Sequence, residues 1–308
     1  MSQWRRLGLI GNPTGSASWA VTHAALPAVA ATAHDHLELF ASSRDSEGRA
    51  RIGRCRLTLD PAPSLSGFDA TPVLDVGALG TFDDSGVTMS CLVRHGDASY
   101  LYYTGWTRGV SVPFYLFIGL AISSDGGRTF ERVSGAPLLD RGPGDPFLAA
   151  SPFVTIEEGR WRMWYVSGTG WEHGAGGPRH YYHIKYAESH NGIDWGRPAK
   201  VAIDYQAPGE HAFARPCVLR DADGYRMWYC FRGERYRIGG AVSPDGIGWT
   251  RYDEEMGLTA GSADWEDDMV AYPWVFDWRG RRYMLYNGND YGRTGVGLAA
   301  LNGSAGPW

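Results

Sequence analysis

The 308-residue chain repeats one sequence pattern five times, with a period of about fifty residues. Each copy opens with an apolar segment, continues through a turn into an aromatic segment, and ends in a third segment. The opening segments cover residues 23–27, 89–92, 150–153, 214–217 and 271–274. Because one such copy cannot bury its apolar faces alone, we expect the five copies to pack against one another.

The second and third segments of each copy have the composition of short β-strands. The second segments cover residues 37–40, 100–103, 161–165, 225–229 and 282–286, and are rich in Tyr, Trp and other residues that favour strands. Asp-Gly or Asn-Gly pairs follow the third segments at 125–126, 191–192 and 245–246, and such pairs predict tight hairpins because both residue types tolerate positive φ. The 42 glycines suit tight turns, and no amphipathic helix pattern stands out. The sequence therefore predicts an all-β fold.

Several strands in each of five units predict a five-bladed β-propeller with a central axial pocket. We expect one domain over residues 1–308, with blades at about 19–62, 80–135, 145–200, 208–253 and 264–303. Residues 1–18 are expected to supply a strand that pairs with the last blade, because an unpaired edge would remain otherwise. No connection is long enough to indicate a second domain.

Charge and hydropathy limit the kind of partner. A net charge of −5 and a pI near 6.0 provide no basic surface for nucleic acid or an anionic membrane, which leaves a carbohydrate or another small molecule. No apolar stretch reaches transmembrane length. Arg5-Arg6 and the alanine-rich residues 28–33 loosely imitate a secretory signal, but Gly8, Gly11 and Pro13 interrupt the apolar stretch. We therefore expect a cytoplasmic protein. Its oligomeric state is not predicted.

Carboxylates recur near the start of four of the five units. In a propeller the first strand of each blade lines the channel, so residues just before these strands are expected to converge there. The recurring acids are Asp84, Asp145, Glu210 and the pair Glu266/Asp267. The adjacent Asp83 and Asp268 are expected to cap turns, and a turn could hold any single acid for the same reason.

Other polar and aromatic residues are expected at the same pocket. The candidate substrate-binding residues are His23, Arg44, Trp106, Trp171, Arg215, Arg232, Asp267, Tyr272 and Asn289. Two of them have alternative explanations: His23 could be a core histidine, and Arg44 could form an ion pair with Asp45. Arg215 is flanked by apolar strand residues, and a buried guanidinium requires an anionic partner, for which Glu210 and Asp145 are the candidates.

Several carboxylates around an aromatic channel are what glycoside hydrolysis requires. One carboxyl must stay protonated to donate to the leaving oxygen, while another must be ionised to activate water or attack the anomeric carbon. Close packing of acids separates their pKa values, which supplies both states at neutral pH. Carboxylates on opposite blades could be separated by about 6.5–9.5 Å, which favours an inverting mechanism.

The sequence resembles the five-bladed propeller glycoside hydrolases, a superfamily of arabinanases, β-xylosidases, levanases, invertases and the related β-mannoside phosphorylases. The resemblance is carried by Phe82-Asp83-Asp84-Ser85-Gly86-Val87, Asp145-Pro146, Glu210 with Arg215-Pro216, and Ser-x-Asp-Gly-x-x-Trp hairpins. It implies a glycosidase whose base lies in the first unit, and the family's base, pKa-tuning residue and acid can be carried over only by shifting them to Asp84, Asp145 and Glu210. The first unit departs from the family pattern, because it has His23 and no acid at the matching place.

Two alternatives to a hydrolase stay open. The missing acid of the first unit leaves a non-catalytic glycan-binding propeller, while Arg44, Arg215 and Arg232 leave a phosphorylase or transferase that acts with phosphate or an anionic sugar. The sequence predicts no metal site and no cofactor: an axial Ca²⁺ could sit among carboxylates, but no calcium-loop or HExxH motif supports one, and the four cysteines lack metal-ligand spacing.

Overall fold

The computed structural model describes residues 3–32, 36–174, 176–196 and 199–303. It confirms the all-β prediction, with 57% of the residues in strands and 3% in helices. The two helices, Asp253–Met256 (α1) and Asn289–Gly292 (α2), are four residues long, and no helix of the described residues has the length and hydropathy of a membrane-spanning segment.

The strands follow one another as antiparallel groups that match the five sequence repeats. The first strands of the groups are Thr22–Thr32 (β2), Gly86–His95 (β6), Ala149–Glu157 (β10), Ala212–Asp221 (β14) and Ala271–Trp278 (β18). The second strands are Leu37–Arg44 (β3), Ala98–Arg108 (β7), Arg160–Gly174 (β11), Gly224–Arg232 (β15) and Arg281–Asn287 (β19). The third strands are Ala50–Thr58 (β4), Phe114–Ser123 (β8), Gly177–Ser189 (β12), Tyr236–Ser243 (β16) and Val296–Leu301 (β20). The fourth strands are Ser64–Leu65 (β5), Glu131–Arg132 (β9), Lys200–Ile203 (β13), Thr250–Arg251 (β17) and, from the other end of the chain, Trp4–Gly11 (β1).

The N-terminal strand β1 pairs antiparallel with β20, which confirms the prediction that the N-terminal segment joins the last unit. The first strands of consecutive units contact one another, and β18 also contacts β2. Contacts between first strands therefore run around all five units and return to the first. The residues at the start of these strands are brought to one place.

The predicted hairpins join neighbouring units. In the third unit the Asn191 side chain accepts hydrogen bonds from the turn, and Gly192 has a φ of 74°, as an Asn-Gly turn requires. The carbonyl of Gly192 then accepts a hydrogen bond from the buried Tyr102 hydroxyl of the second unit at 2.8 Å. The indole of Trp164 in the third unit donates in the same way to Gly246 of the fourth. Each of these buried aromatic side chains packs against the hairpin of the next unit, so part of the core lies between neighbouring units. Burial of such a side chain contributes roughly 1.5–3 kcal/mol.

Candidate functional site

A cavity of about 360 Å³ lies where the first strands meet. Every unit contributes to its lining from its first strand: His23, Ala25, Leu26, Thr88, Ala150, Ser151, Ala214 and Tyr272. Second and third strands and the α2 segment supply the remaining walls: Ser42, Arg44, Ala50, Thr104, Trp106, Phe114, Leu116, Val166, His180, Tyr182, Tyr236 and Tyr291. The lining is therefore rich in aromatic rings and hydroxyl groups, and none of these residues is Asp or Glu.

The backbone is strained at the same place in four units. Leu26, Ser151, Arg215 and Tyr272 have φ values of 53°, 46°, 58° and 58°, in the left-handed region that side chains other than glycine rarely adopt. Each of them lies at a break in register between its first and second strands. A proline follows in all four cases, and because proline has no N–H, the break costs the ladder no donor. Such strain costs about 1–3 kcal/mol per residue and tends to occur at functional sites.

The strain extends to the α2 segment at the cavity. Asp290 and Tyr291 have φ values of 53° and 59°, and His23 has a φ of 67°. The Tyr291 hydroxyl accepts a hydrogen bond from Nη1 of Arg232 at 3.1 Å, which fixes one wall. On the adjacent wall the Tyr182 and Tyr236 hydroxyls are hydrogen-bonded to each other at 2.7 Å.

The two cavity histidines are neutral at neutral pH. Burial lowers the pKa of His23 to about 4, and the charges of Arg44 and Arg293 lower it further, while Asp290 acts in the opposite direction. Burial also lowers the pKa of His180 to about 4, assisted by His211 and Arg232. A neutral imidazole offers one donor and one acceptor, and Nδ1 of His23 is hydrogen-bonded to the Thr22 hydroxyl at 3.0 Å, which leaves Nε2 for a ligand group.

Arg44 lines the cavity, and its guanidinium has no hydrogen bond or ion pair within the described part of the chain. The alternative of an Arg44–Asp45 pair is wrong, because the Asp45 carboxylate binds Arg49 at 3.0 Å and Arg51 at 2.6 Å. These hydrogen bonds hold the pKa of Asp45 down at about 2 despite the opposing effect of burial. Arg44 is thus available to a ligand.

Asp145 is held within its own unit instead of lining the cavity. Its carboxylate is 1% exposed and accepts hydrogen bonds from the Tyr165 hydroxyl, the Ser167 hydroxyl at 2.6 Å and the Lys185 ammonium at 3.2 Å. We name this group of an acid, a tyrosine and a base an acid–tyrosine cluster. It links the segment before the first strand, which holds Asp145, to Tyr165 on the second strand and Lys185 on the third.

The second and fifth units contain the same cluster. In the second unit the acid is Asp83, which is fully buried and accepts from Tyr103 at 2.9 Å and Arg132 at 2.7 Å. Asp83, which the sequence predicts to cap a turn, is instead the buried acid of this cluster. Asp84 binds Gly80 N and the Ser85 hydroxyl and lies outside the cavity lining.

In the fifth unit the buried Glu266 accepts from Tyr286 at 2.8 Å and Arg6 at 3.2 Å. Its neighbour Asp267 is exposed and binds the Asn289 side chain, which also accepts from the backbone N–H groups of Asp268 and Met269. Asp267 and Asn289 therefore fix a turn and do not line the cavity.

Glu210 belongs to a variant of the cluster. Both of its oxygens bind Arg251, at 2.9 and 2.7 Å, and Arg251 also binds Asp253, which accepts from the Tyr229 hydroxyl. Burial alone would raise the pKa of Glu210, but these hydrogen bonds and the Arg251 charge lower it below its ordinary value. A lowered pKa is the opposite of what a general acid needs.

Arg215 is 1% exposed, and the expectation of a carboxylate partner for it is wrong in the described part of the chain. Its guanidinium donates to four backbone carbonyls, those of Met89 and Ser90 in the second unit and of Leu26 and Pro27 in the first. Burial lowers its pKa to about 10. Arg215 on β14 therefore links this strand to β6 and β2. It is not among the lining residues.

The remaining predicted residues divide between the cavity and its surroundings. His23, Arg44, Trp106 and Tyr272 line the cavity. Arg232 does not line it but donates to the lining residue Tyr291. Trp171 does not line it either and packs against the lining residues Phe114 and His180. Sequence reasoning missed Thr104, His180, Tyr182, Tyr236 and Tyr291 as lining residues. Ser151 also lines the cavity, and the sequence marks it because it occupies the position before the shared proline.

No group of His, Cys, Asp and Glu side chains within the described ranges could hold a metal ion. The chemistry that the lining offers is therefore hydrogen bonding, ring stacking and the positive charge of Arg44.

Comparison with known proteins identifies relatives in sequence and in fold. No family model matches the sequence. The chain is 43% identical over 298 residues to the uncharacterized proteins MT1551 and Rv1502 of two Mycobacterium tuberculosis strains, and each match covers 97% of this chain and 99% of the relative. Among solved structures it resembles a glycoside hydrolase at a TM-score of 0.74 and 17% identity, covering 98% of this chain and 92% of the other.

Two further structures have the same fold. A thermostable family-43 glycoside hydrolase matches at a TM-score of 0.68 and 17% identity, with 94% of this chain and 90% of the other covered. The Bombyx mori family-32 β-fructofuranosidase BmSUC1 matches at a TM-score of 0.64 and 15% identity, with 96% of this chain and 62% of the other covered. The chain thus has the same all-β fold as these glycoside hydrolases.

Proposed function

We propose that this chain, which belongs to the same family as MT1551 and Rv1502 and has the fold of glycoside hydrolases, is a carbohydrate-active enzyme that binds its sugar in the cavity described above. The observation that carries the proposal is the meeting of all five first strands at a cavity walled by aromatic rings and hydroxyl groups. Pockets of a few hundred Å³ with aromatic walls and a few placed polar groups are typical ligand sites.

The architecture we propose is a single five-bladed propeller over residues 1–308, with this cavity on its axis. Its support is the fivefold sequence pattern, the antiparallel groups, and the contacts that run from each first strand to the next and from β18 back to β2. Backbone strain at Leu26, Ser151 and Tyr272 supports a functional role for the cavity, because such strain tends to occur at functional sites.

The proposed activity is cleavage or transfer of a glycosyl group, and the buried acids have a different role in it from the one that the family resemblance implies. Asp145 and Glu210 are engaged by a lysine and an arginine, and Asp84 lies outside the lining. We propose that these three acids stabilise their units. The cavity's own His23, Arg44 and Ser151 are the groups proposed to bind the sugar at its reacting end.

A second candidate, sugar binding without turnover, is favoured by one specific observation: no carboxylate is among the lining residues. Hydrolysis with two carboxylates requires a pair about 5–9.5 Å apart that flanks the glycosidic bond. Phosphorolysis or transfer to an anionic acceptor would instead use the charge of Arg44, as the arginine-based alternative in the sequence suggests.

The test combines binding with product detection. Titration calorimetry against a saccharide panel measures affinity, and chromatography after long incubation, with and without inorganic phosphate, detects cleavage, phosphorolysis or transfer. We expect Trp106→Ala to weaken sugar binding several-fold through lost ring contact, since aromatic contacts are worth roughly 0.5–1.5 kcal/mol, while the exposed Tyr252→Ala leaves it unchanged.

Three results would separate the candidates. Binding without any product supports the second candidate, and phosphate-dependent product supports a phosphorylase. Loss of turnover in both Asp84→Asn and Glu210→Gln, with unchanged thermal stability, would restore the acid and base roles implied by the family resemblance. Sugar binding that Trp106→Ala does not alter would contradict the proposed site.

A further inference from the structure

The charges around the cavity are unbalanced. Arg44 lines it without a protein partner among the described residues, and Arg293 is close enough to His23 to lower the pKa of the imidazole. Arg232 meets Tyr291 at the cavity wall, and its guanidinium lies 5.5 Å from the centre of the Tyr236 ring. The exposed Asp290 acts on the His23 imidazole in the opposite direction. Among the lining residues themselves there is one arginine and no carboxylate.

The local ion pairs leave Arg44 unpaired although an acid is next to it. Asp45 directs its carboxylate to Arg49 and Arg51, and two backbone N–H groups, those of Glu47 and Arg49, also bind its Oδ1. The Asp45 carboxylate is therefore engaged by Glu47, Arg49 and Arg51 and does not neutralise Arg44. The Arg44 guanidinium at the cavity wall therefore has no neutralising partner among the described residues and can donate to a ligand.

The shape of guanidinium suits one class of ligand group. Its planar fork donates two parallel hydrogen bonds to a carboxylate or a phosphate, and such charge-assisted pairs are about twice as strong as neutral ones. Neutral partners in the same cavity, the imidazole of His23 and the hydroxyls of Ser151 and Thr104, suit sugar hydroxyls. The cavity thus combines a neutral hydrogen-bonding wall with one free cation.

We propose that the carbohydrate bound in this cavity carries an anionic group, a carboxylate or a phosphate, which the guanidinium of Arg44 binds. The proposal rests on the proposed function, since it specifies the substrate class of the same site. It gives Arg44 the role of a specificity-determining residue that separates acidic from neutral sugars.

The experiment uses the full chain and titration calorimetry at low ionic strength. The probes are glucose, galactose and mannose, the uronic acid and the 6-phosphate of each, and inorganic phosphate alone. Arg44→Gln removes the charge at the site, and the exposed Arg56→Gln on β4 is the matched control with the same change in net charge. Circular dichroism and thermal unfolding establish that both variants fold.

We expect at least one acidic sugar to bind about 10–100-fold more tightly than its neutral parent. Arg44→Gln should abolish that difference, whereas Arg56→Gln should preserve it. Comparison of the uronic acids with the 6-phosphates identifies the anion.

Equal affinity for acidic and neutral sugars, or a preference that survives Arg44→Gln, would overturn the inference while sugar binding at the site stands. Inorganic phosphate that binds as tightly as every sugar phosphate would overturn it as well, because the sugar would then contribute nothing. Absence of binding by every probe would overturn both this inference and the proposed function.

Discussion

Replacement of Asp145 by Asn distinguishes a stabilising acid from a catalytic one. The carboxylate is 1% exposed and is bound by Tyr165, Ser167 and the Lys185 ammonium. An amide keeps the size of the side chain and part of its hydrogen bonding but removes its charge. Lys185, which is 8% exposed, would then keep a carbonyl partner at Gly144 and lose its charged one.

The magnitude follows from the burial of both partners. Loss of one member of a buried ion pair costs about 3–5 kcal/mol, and we expect the lower end, about 3 kcal/mol, because Asn can still bind the two hydroxyls. For a chain of 308 residues, with an unfolding entropy of about 2.1 cal/mol/K per residue, that loss corresponds to a decrease of about 5 °C in Tm. Tyr165→Phe removes one hydrogen bond and leaves the ion pair, so about 1–2 kcal/mol is expected.

The assay is thermal and urea unfolding of both variants at pH 7, together with sugar binding. Glu131→Gln is the control, because Glu131 is an exposed acid on β9 and its loss should change stability by less than about 0.5 kcal/mol. We expect sugar affinity of folded Asp145→Asn to match the parent protein. An unchanged Tm with turnover lost would refute the stabilising role and assign Asp145 to the chemistry.

Three further predictions concern packing and pH. Gly119→Ala should destabilise the protein by about 1–3 kcal/mol, because its methyl group would lie 2.3 Å from the Tyr103 ring, whereas Gly135→Ala has open space and should be nearly neutral in the same urea titration. The pKa of Asp45 is about 2 when folded and 3.8 when unfolded, so its contribution is complete above pH 4 and is lost as the pH falls towards 2; acid titration of Asp45→Asn should lack that loss. The pKa of His23, about 4 when folded and 6.5 when unfolded, predicts stability that decreases from pH 6.5 to 4, and NMR should show a neutral ring at pH 6.

The fold was predictable because its determinants repeat along the chain. Strand composition, Asn-Gly and Asp-Gly turns and the period of the pattern each indicate the same all-β architecture, and local signals that agree across five copies leave few alternatives. The pairing of β1 with β20 also followed from the need to cover an edge. What the sequence pattern could not supply was the direction in which each polar side chain points.

Part of the cavity was within reach of the sequence for the same reason. Tyr272 and Ser151 occupy the position before the shared proline, where the backbone is strained and faces the cavity. His180 and Tyr182 lie at the start of an unusually long third strand, where no repeat signal marks them. Residues outside the repeated positions require the three-dimensional structure.

The recurring acids illustrate why a shared register is an ambiguous sign of function. A repeat copies whatever each unit needs for its own stability, so equivalent charges in several units are as well explained by packing as by a common site. Here the acid and the tyrosine it binds are 20 residues apart in three units, from Asp83 to Tyr103, from Asp145 to Tyr165 and from Glu266 to Tyr286. Asp84 does not have that spacing, and the spacing alone would have selected its neighbour Asp83.

The residues that differ between units carry more information about the ligand than those that recur. At the position before the shared proline, one unit has Tyr272, which lines the cavity, and another has Arg215, which is buried below it and satisfies four carbonyls. The Arg44 guanidinium has neither a hydrogen bond nor an ion pair within the described residues. Because packing explains Arg215 and leaves Arg44 unexplained, the free cation is the stronger indication of what binds in the cavity.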